Sequence, residues 1–270
     1  MLPILPIDDP DDPRIAVFRA VRERDVAGRE SGFIAEGEVV LRVLSRSRLH
    51  KARSVLVDRK RVGGLTPILA AFGPDVAFYS ASQPVMDAIA GFHIHRGILA
   101  FGARASAALA SELLATLHGP ALVLMLFGVS NHDNIGGIFR NAAAFGVSAV
   151  LLDGACCDPL YRKSIRVSVG AALTVPFARL GAGEEPISLL EGHNFTPLAL
   201  SPSGKTPLAR LASPARAAVL LGAEGAGLPA ALLARARTIA VPMAGSFDSL
   251  NVATTSGIVL HHLTFGTARI

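Results

Sequence analysis

Apolar residues in the second half of the chain come in short unbroken runs, each closed by a glycine or proline turn. From Ala121 onward these are ALVLMLFG, SAVLLDG, ALTVPF, TPLALS, AAVLLGAEG and TIAVPMAG. Such runs, apolar at nearly every position, predict strands buried on both faces, with helical segments between them. The pattern is that of a mostly parallel sheet covered by helices on both sides. In such sheets ligands collect beyond the carboxyl ends of the strands. The polar, glycine-rich stretches after these runs are therefore where chemistry is expected.

The first half alternates differently. Ile15 to Val26 has the spacing of an amphipathic helix with several arginines, and Gly32 to Ala35 that of a short strand. A helix over Glu36 to Ser45 follows, then strands at Ser54 to Val57, Val76 to Tyr79 and Gly97 to Phe101. This predicts a small α/β domain over residues 1–102. Residues 103–117, ARASAALASELLATL, suggest an alanine-rich helical connection, and the composition changes after Gly119-Pro120. The expected organisation is thus 1–102, a linker over 103–119, and a second α/β domain over 120–270.

With 270 residues, 51% of them hydrophobic and 17% charged, the chain can bury one large core or two modest ones and is not a disordered one. No run reaches the ~18 apolar residues of a membrane-spanning helix. The opening MLPILPIDDPDDP lacks the basic start of a signal peptide. A soluble cytoplasmic protein is expected. The two cysteines, Cys156 and Cys157, are adjacent, and the eight histidines form no ligand spacing. Reduced structural thiols and no metal site follow.

The net charge of +5 is unevenly spread. Arg42, Arg46, Arg48, Lys51, Arg53, Arg59, Lys60 and Arg61 lie within one segment that holds a single acid between them, Asp58. Arginine pairs bidentately with phosphate and stacks on bases, so this segment is a candidate RNA-binding surface; a solvated basic face is the simpler alternative.

Three loops carry the remaining candidates. GAEGAGLP, Gly222 to Pro229, follows a buried strand, but its glycines at 222, 225 and 227 do not fit the dinucleotide pattern GxGxxG. SPSGKTP, Ser201 to Pro207, lacks the first glycine of a phosphate loop, because Ala199 stands there, and Pro207 blocks a following helix; it is expected to be a turn. NHDNIGGIFRNAAAFG, Asn131 to Gly146, predicts a helix capped by Asp133 or Asn134 and stopped by Gly146. Its Gly136-Gly137 pair implies close approach by a neighbouring element, a ligand or another chain. VPMAGSFDSLNVATTSGIVL, from Val241, leads into a C-terminal helix, with Ser249 and Asn251 near its free N–H groups.

Taken together, NIGGIFR, LLGAEGAGL and VPMAGSFDSLN resemble, in order and spacing, the three motifs of the SpoU (TrmH-like) RNA methyltransferases of the SPOUT superfamily. FIAEGEVVLRVL, RSVLV and HRGILA resemble the ribosomal protein L30e-like substrate-binding domain found with them. The resemblance implies a C-terminal α/β domain with a deep trefoil knot, an L30e-like domain before it, and a homodimer in which motif 1 of one subunit completes the other's site. It implies S-adenosylmethionine as cofactor, held by Gly222, Val241 and Leu250, with Gly227 and Met243 on the same loops. Asn134, Arg140, Glu224, Ser249 and Asn251 fall on the motifs' polar positions. VATTSGI stands where the family text is close to VSVAAGI, a departure that touches substrate contacts rather than the cofactor pocket.

The implied reaction moves a methyl group from the sulfonium to a ribose 2′-hydroxyl of ribosomal or transfer RNA, with ribosomal RNA favoured by the extra domain. Much of the acceleration would come from alignment. Because a guanidinium is effectively never deprotonated in proteins, Arg140 is expected to hold phosphate and stabilise developing negative charge. A perturbed Arg140 acting as base is the second choice. Two other readings stay open on sequence: an RNA-binding protein that has lost turnover, and a base-nitrogen methyltransferase of the same fold.

Overall fold

A computed structural model describes residues 2–19, 32–91, 93–104, 108–245 and 249–266. The chain divides into two compact units, one of Met1–Ser106 with Leu160–Thr174, the other of Ala107–Pro159 with Val175–Ile270.

The first unit is built on a five-stranded mixed sheet of β1 (Ile4–Ile7), β2 (Gly32–Glu36), β3 (Lys51–Asp58), β4 (Ala77–Ala81) and β5 (Ile98–Ala103). The order is β1-β4-β3-β5-β2, with β1, β4 and β3 parallel and β5 antiparallel to β3 and β2. Ile7, Phe18, Ile34, Leu56, Met86 and Leu99 form a core on this sheet. The helix Glu38–Arg46 buries Val40, Leu41 and Leu44 and leaves Arg42 and Arg46 exposed, which is the amphipathic division its sequence predicts. β1 has no counterpart among the predicted strands. Pro6 is tolerated there because β1 is an edge strand, where a missing N–H costs no ladder bond. Of the helix expected over Ile15 to Val26, the described part is a 3-10 helix, Pro13–Phe18, capped by Asp12; residues 20–26 lie outside the described residues.

Leu160–Thr174 is a distant piece of sequence that completes this unit. The helix Arg162–Val167 packs on β2, and Arg162 Nη1 pairs with the buried Glu36 carboxylate at 2.5 Å. Ser47 Oγ donates to the Leu173 carbonyl at 2.7 Å. The ALTVPF run, expected to be one strand, is divided accordingly: Ala171–Leu173 is a buried 3-10 turn of the first unit, and the strand starts at Phe177. A short apolar run does not distinguish a buried turn from a strand.

The second unit holds seven strands, all parallel: β6 (Ala121–Leu126), β7 (Ala149–Leu152), β8 (Phe177–Arg179), β9 (Thr196–Leu200), β10 (Thr206–Pro207), β11 (Arg216–Leu221) and β12 (Arg237–Ala240). Their order is β10-β12-β9-β11-β6-β7-β8. Central β11 and β6 are buried almost throughout, as unbroken apolar runs require. Of the connection expected over 103–117, only Ala110–Ala115 is helical among the described residues; Ala110 and Leu114 join the core beside β7 and β8. Gly204 of SPSGKTP sits in a turn against β12, where a Cβ would meet the Ile239 and Ala240 backbone, which accounts for its glycine without a phosphate.

Two helices of this unit pack against each other. His132–Ala144 is capped by Asn131, whose Oδ1 accepts from Asp133 N at 2.8 Å, rather than by Asp133 or Asn134. It ends at Gly146, with φ +68°. Val252–His261 packs along it. A Cβ on Gly137 would stand 2.8 Å from Ala253 Cβ, so the glycine permits this close crossing. No helix among the described residues is long and apolar enough to cross a membrane.

Candidate active site

Three neighbouring strands of the second sheet, β9, β11 and β12, end at one cavity of about 500 Å³. This is the carboxyl edge where parallel sheets place ligands, and the volume lies in the range of about 300–1,000 Å³ typical of small-molecule sites. Each strand sends its loop into the wall. β9 contributes Ser201 and Pro202, β11 the loop from Gly222 to Leu228, and β12 Val241 and Met243. Ser249, Leu250, Asn251 and Thr255, at the start of the C-terminal helix, close it. Gly222, Gly227, Val241, Met243 and Leu250 thus share one cavity with Glu224, Ser249 and Asn251. Ser246, Phe247 and Asp248 of the third motif lie outside the described residues.

The β11 loop folds back on itself. Gly227 N donates to the Ala223 carbonyl at 3.0 Å, and Gly225 and Gly227 take φ of +84° and +66°, the left-handed region that glycine enters without steric cost. Any Cβ on Gly222 would run into the Gly227 carbonyl and the Leu228 amide. The glycine at 222 is therefore required by loop closure, before any ligand is considered.

The polar groups are organised around Asn251. Its Oδ1 caps the C-terminal helix, accepting from Ala253 N at 3.0 Å and Thr254 N at 3.1 Å. Its Nδ2 donates to Asn134 Oδ1 at 2.8 Å and to Glu224 Oε1 at 2.9 Å. Residues 134, 224 and 251, one from each glycine-rich loop, are thereby joined in one chain of hydrogen bonds. Asn134 is buried, and Glu224 and Asn251 are exposed at the cavity. Asn251, not Ser249, is the cap.

Arg140 stands apart from this group. It is exposed and does not line the cavity. Six residues beyond Asn134, it lies ~9 Å further along the helix and on a different face. Its neighbour Asn141 faces inward and donates to the Ala253 carbonyl at 2.7 Å and to Ser256 Oγ at 3.0 Å. Sequence reasoning missed Asn141; its one signal is an amide beside Arg140 in the otherwise apolar stretch from Ile135 to Ala144. It also gives VATTSGI a physical reason. Ser256 is fully buried, receives the Asn141 amide and donates to the Ala253 carbonyl at 2.7 Å. Thr255 lines the cavity, and its Oγ1 donates to the Asn251 carbonyl at 2.9 Å.

Just after β7, Asp153 accepts from Gly128 N at 3.0 Å and from Ala155 N and Cys156 N. Burial pushes the Cys156 thiol up to about 12 and Cys157 to about 11, so both are protonated thiols, and neither is in a disulfide. Among the described residues no group of histidine, cysteine and acidic side chains could hold a metal ion.

The basic segment of the first unit is spread along the length of β3. Lys51 and Arg53 stand at the amino end of β3, and Arg59, Lys60 and Arg61 just beyond its carboxyl end. At ~3.3 Å per residue, those ends are roughly 23 Å apart. Arg61 Nη2 pairs with Glu38 Oε2 at 3.1 Å, which places the start of the helix Glu38–Arg46, and with it Arg42, at the carboxyl end. Arg46 and Arg48 fall at the other end, where the helix closes and the chain turns into β3.

Three comparisons bear on this architecture. The model of the SpoU rRNA Methylase family matches residues 121–261. The chain is 39% identical to an uncharacterized tRNA/rRNA methyltransferase of Mycobacterium tuberculosis, over 97% of this chain and 92% of that one. It is 31% identical to the 23S rRNA (guanosine-2'-O-)-methyltransferase RlmB of Ralstonia nicotianae, over 71% and 78% of the two chains. In fold it is similar to an AdoMet-bound rRNA methyltransferase from Sinorhizobium meliloti, with a TM-score of 0.80 at 22% identity, over 96% of this chain and 97% of the other. The family match spans both helices and all the strands that build the cavity, and on that ground the chain belongs to the SpoU rRNA methylase family.

Proposed function

We propose that this protein transfers a methyl group from S-adenosylmethionine to a ribose 2′-hydroxyl of RNA, with ribosomal RNA preferred over transfer RNA. The observation that carries the reading is the Asn134–Asn251–Glu224 hydrogen-bond chain at the mouth of the strand-end cavity. The RlmB relative acts on a guanosine 2′-oxygen of 23S rRNA, and the Sinorhizobium meliloti protein of the same fold binds AdoMet.

The cavity fits that cofactor in size and chemistry. Leu221, Leu228, Val241, Met243 and Leu250 offer apolar walls, the Gly222–Gly227 backbone offers N–H and C=O groups at close range, and Glu224 offers a negative charge. When bound, the cofactor supplies an electrophilic methyl group. The chain's own residues then align, shield and balance charge. Asn251 fixes the Glu224 carboxylate and the Asn134 amide relative to the start of the C-terminal helix. Ser249 presents a hydroxyl at the same rim. Rigid placement of this kind is where a displacement reaction gains most.

Arg140 supplies positive charge to the phosphate and to the ribose oxygen, which becomes negative as its proton passes to water; the guanidinium donates in a fixed fork and accepts nothing. Because it does not line its own cavity, it is assigned to the cavity of a second copy, in a homodimer. Exposed apolar side chains on the C-terminal helix and just after it support a second copy. Ile258 and Phe265 are 39% and 69% exposed, and Phe265 meets the Phe145 ring edge-on and the His261 ring at a tilt. The family's trefoil knot, with the C-terminal segment passed through the preceding loops, belongs to the same reading; Ser213 Oγ donating to the Leu263 carbonyl at 3.0 Å is consistent with it. Incubation with RNA and labelled S-adenosylmethionine, followed by nucleoside analysis, tests the activity. The expected product is a 2′-O-methylated nucleoside.

A further inference from the structure

The eight basic residues that are contiguous in sequence belong to two ends of the first sheet, and the two ends differ in what already neutralises them. At the carboxyl end of β3, Arg42 and Arg61 share the Glu38 carboxylate, at 3.2 and 3.1 Å, and Arg59 pairs with Asp8 at 2.5 Å. Arg61 also donates to the Arg96 carbonyl. Phosphate arriving there would have to displace carboxylates and approach Glu38 and Asp8 against their charge.

The amino end is different. Arg46, Arg48, Lys51 and Arg53 are all exposed, and none forms an ion pair or side-chain hydrogen bond among the described residues. Arg104, next to the Ala103 that pairs with Lys51, donates to the Gly32 carbonyl at 3.2 Å and is not counted among them. Asp75 is the acid that precedes β4, whose Ala77 pairs with Ser54; it forms no ion pair with any of the four. The backbone is shaped to present this charge. Ala52 opposes Gly102 and Ser54 opposes Phe101, so Arg53 is the extra residue of a β-bulge. Bulges bend a strand and redirect a side chain, and here the redirected side chain is an exposed guanidinium on a strand otherwise buried from Ser54 onward.

We infer that the amino end of β3, through Arg46, Arg48, Lys51 and Arg53, is the surface that grips the RNA phosphate backbone, and that the Arg59-Lys60-Arg61 end is chiefly a structural ion-pair cluster. RNA rather than an acidic protein is favoured by three arginines and one lysine with no apolar residue except Leu49 between Arg46 and Lys51: phosphate contacts need forked donors, whereas protein interfaces need an apolar centre. The inference rests on the proposed RNA methyl transfer for its partner class.

Two variants with the same charge change test it. One carries Arg46→Gln, Arg48→Gln, Lys51→Gln and Arg53→Gln; the other carries Arg42→Gln, Arg59→Gln, Lys60→Gln and Arg61→Gln. Binding of a fluorescein-labelled RNA of about 30 nucleotides is followed by anisotropy across a salt series, where each single-strand phosphate contact contributes about 0.7 to the slope of log affinity against log salt. The amino-end variant is expected to lose at least about tenfold in affinity and about two to three units of slope, and the carboxyl-end variant to stay within about one unit of the parent. S-adenosylmethionine affinity by calorimetry should match the parent in both, showing an intact second unit. Half-variants, Arg46→Gln with Arg48→Gln and Lys51→Gln with Arg53→Gln, should each show part of the loss. Equal losses from both ends, a larger loss from the carboxyl end, or parental binding by the amino-end variant would overturn the assignment. Failure of the activity itself reads out separately, as absence of labelled methyl transfer by the unmodified chain.

Discussion

A single amide on Asn251 reaches both Asn134 Oδ1, at 2.8 Å, and Glu224 Oε1, at 2.9 Å, while the oxygen of the same side chain caps the helix immediately after it. Asn251→Asp separates these duties. It keeps the cap acceptors, removes the donor and sets a second carboxylate against Glu224. Methyl transfer should fall by about a hundredfold or more, consistent with loss of a charge-assisted donor worth roughly 1.5–3 kcal/mol plus repulsion. Asn251→Ala should in addition lose about 1 kcal/mol of stability with the cap. Comparing urea melts with turnover distinguishes the two. An Asn251→Asp variant with parental activity would remove the hydrogen-bond chain from the mechanism.

The β11 loop makes a graded prediction about glycine. Gly222→Ala must push a methyl into backbone at Gly227 and Leu228, whereas Gly225→Ala meets nothing and only strains φ +84°. The second change should cost about 1–2 kcal/mol locally, the first distinctly more. Calorimetry should therefore show S-adenosylmethionine affinity falling much further in Gly222→Ala than in Gly225→Ala. The reverse order would mean that the loop is not held closed as described.

Asn141 ties the His132 helix to the C-terminal helix through the Ala253 carbonyl and Ser256. Asn141→Ala removes two hydrogen bonds while the Ala253 carbonyl keeps the Ser256 hydroxyl, a loss of about 0.5–1.5 kcal/mol for each bond. If the tie positions Asn251, kcat should fall more than cofactor affinity, and Ser256→Ala should give a smaller effect in the same direction. A change confined to melting temperature would make Asn141 purely structural.

Glu185 offers a pH test away from the site. Backbone N–H groups of Ser188 and Ile187, with Arg235 at 2.6 Å, hold its carboxyl at about 2. A depressed value in the folded state stabilises the fold above the unfolded value near 4.5, and that stabilisation is lost as pH falls toward 2. Glu185→Gln should thus be less stable than the parent at neutral pH, with the gap closing between pH 4.5 and 2. A gap that does not change with pH would contradict the assignment.

Arg140 acting in the neighbouring subunit predicts complementation. Arg140→Ala and Gly222→Val should each be nearly inactive, the first with cofactor affinity within a few-fold of the parent. Mixed and reassembled, half of the dimers would pair the variants and hold one intact site of two, so about a quarter of the activity should return in a symmetric two-site dimer. No recovery, with mixed dimers verified, would place Arg140 in its own subunit's site.

What the sequence made legible was mostly local. Unbroken apolar runs marked six of the second unit's strands or their near neighbourhood, and glycine-rich loops after β11 and β12 marked the cavity walls. The motif residues 134, 224 and 251 were named without their hub being visible, because hydrogen bonds across 117 and 27 residues leave no trace in spacing. The same holds for Leu160–Thr174: its apolar residues read as part of the second domain, yet the Arg162–Glu36 and Ser47–Leu173 contacts, each 126 residues apart, make it part of the first unit. A fragment starting at Ala121 would strip that segment of its partners, so it is a poorer test of independent folding than chain order suggests. The basic run was visible as composition, while its division between two ends of β3 depended on the strand's length and on Glu38.

Methyl transfer to a ribose oxygen is open to a direct test. Total RNA from cells lacking this gene is incubated with the purified chain and S-adenosylmethionine, digested to nucleosides and analysed by mass spectrometry, with the Arg140→Ala variant in parallel. A 2′-O-methylated nucleoside is expected with the parent chain and not with the variant. A methyl group found on a base, or no methylation of any RNA despite measured cofactor binding, would contradict it.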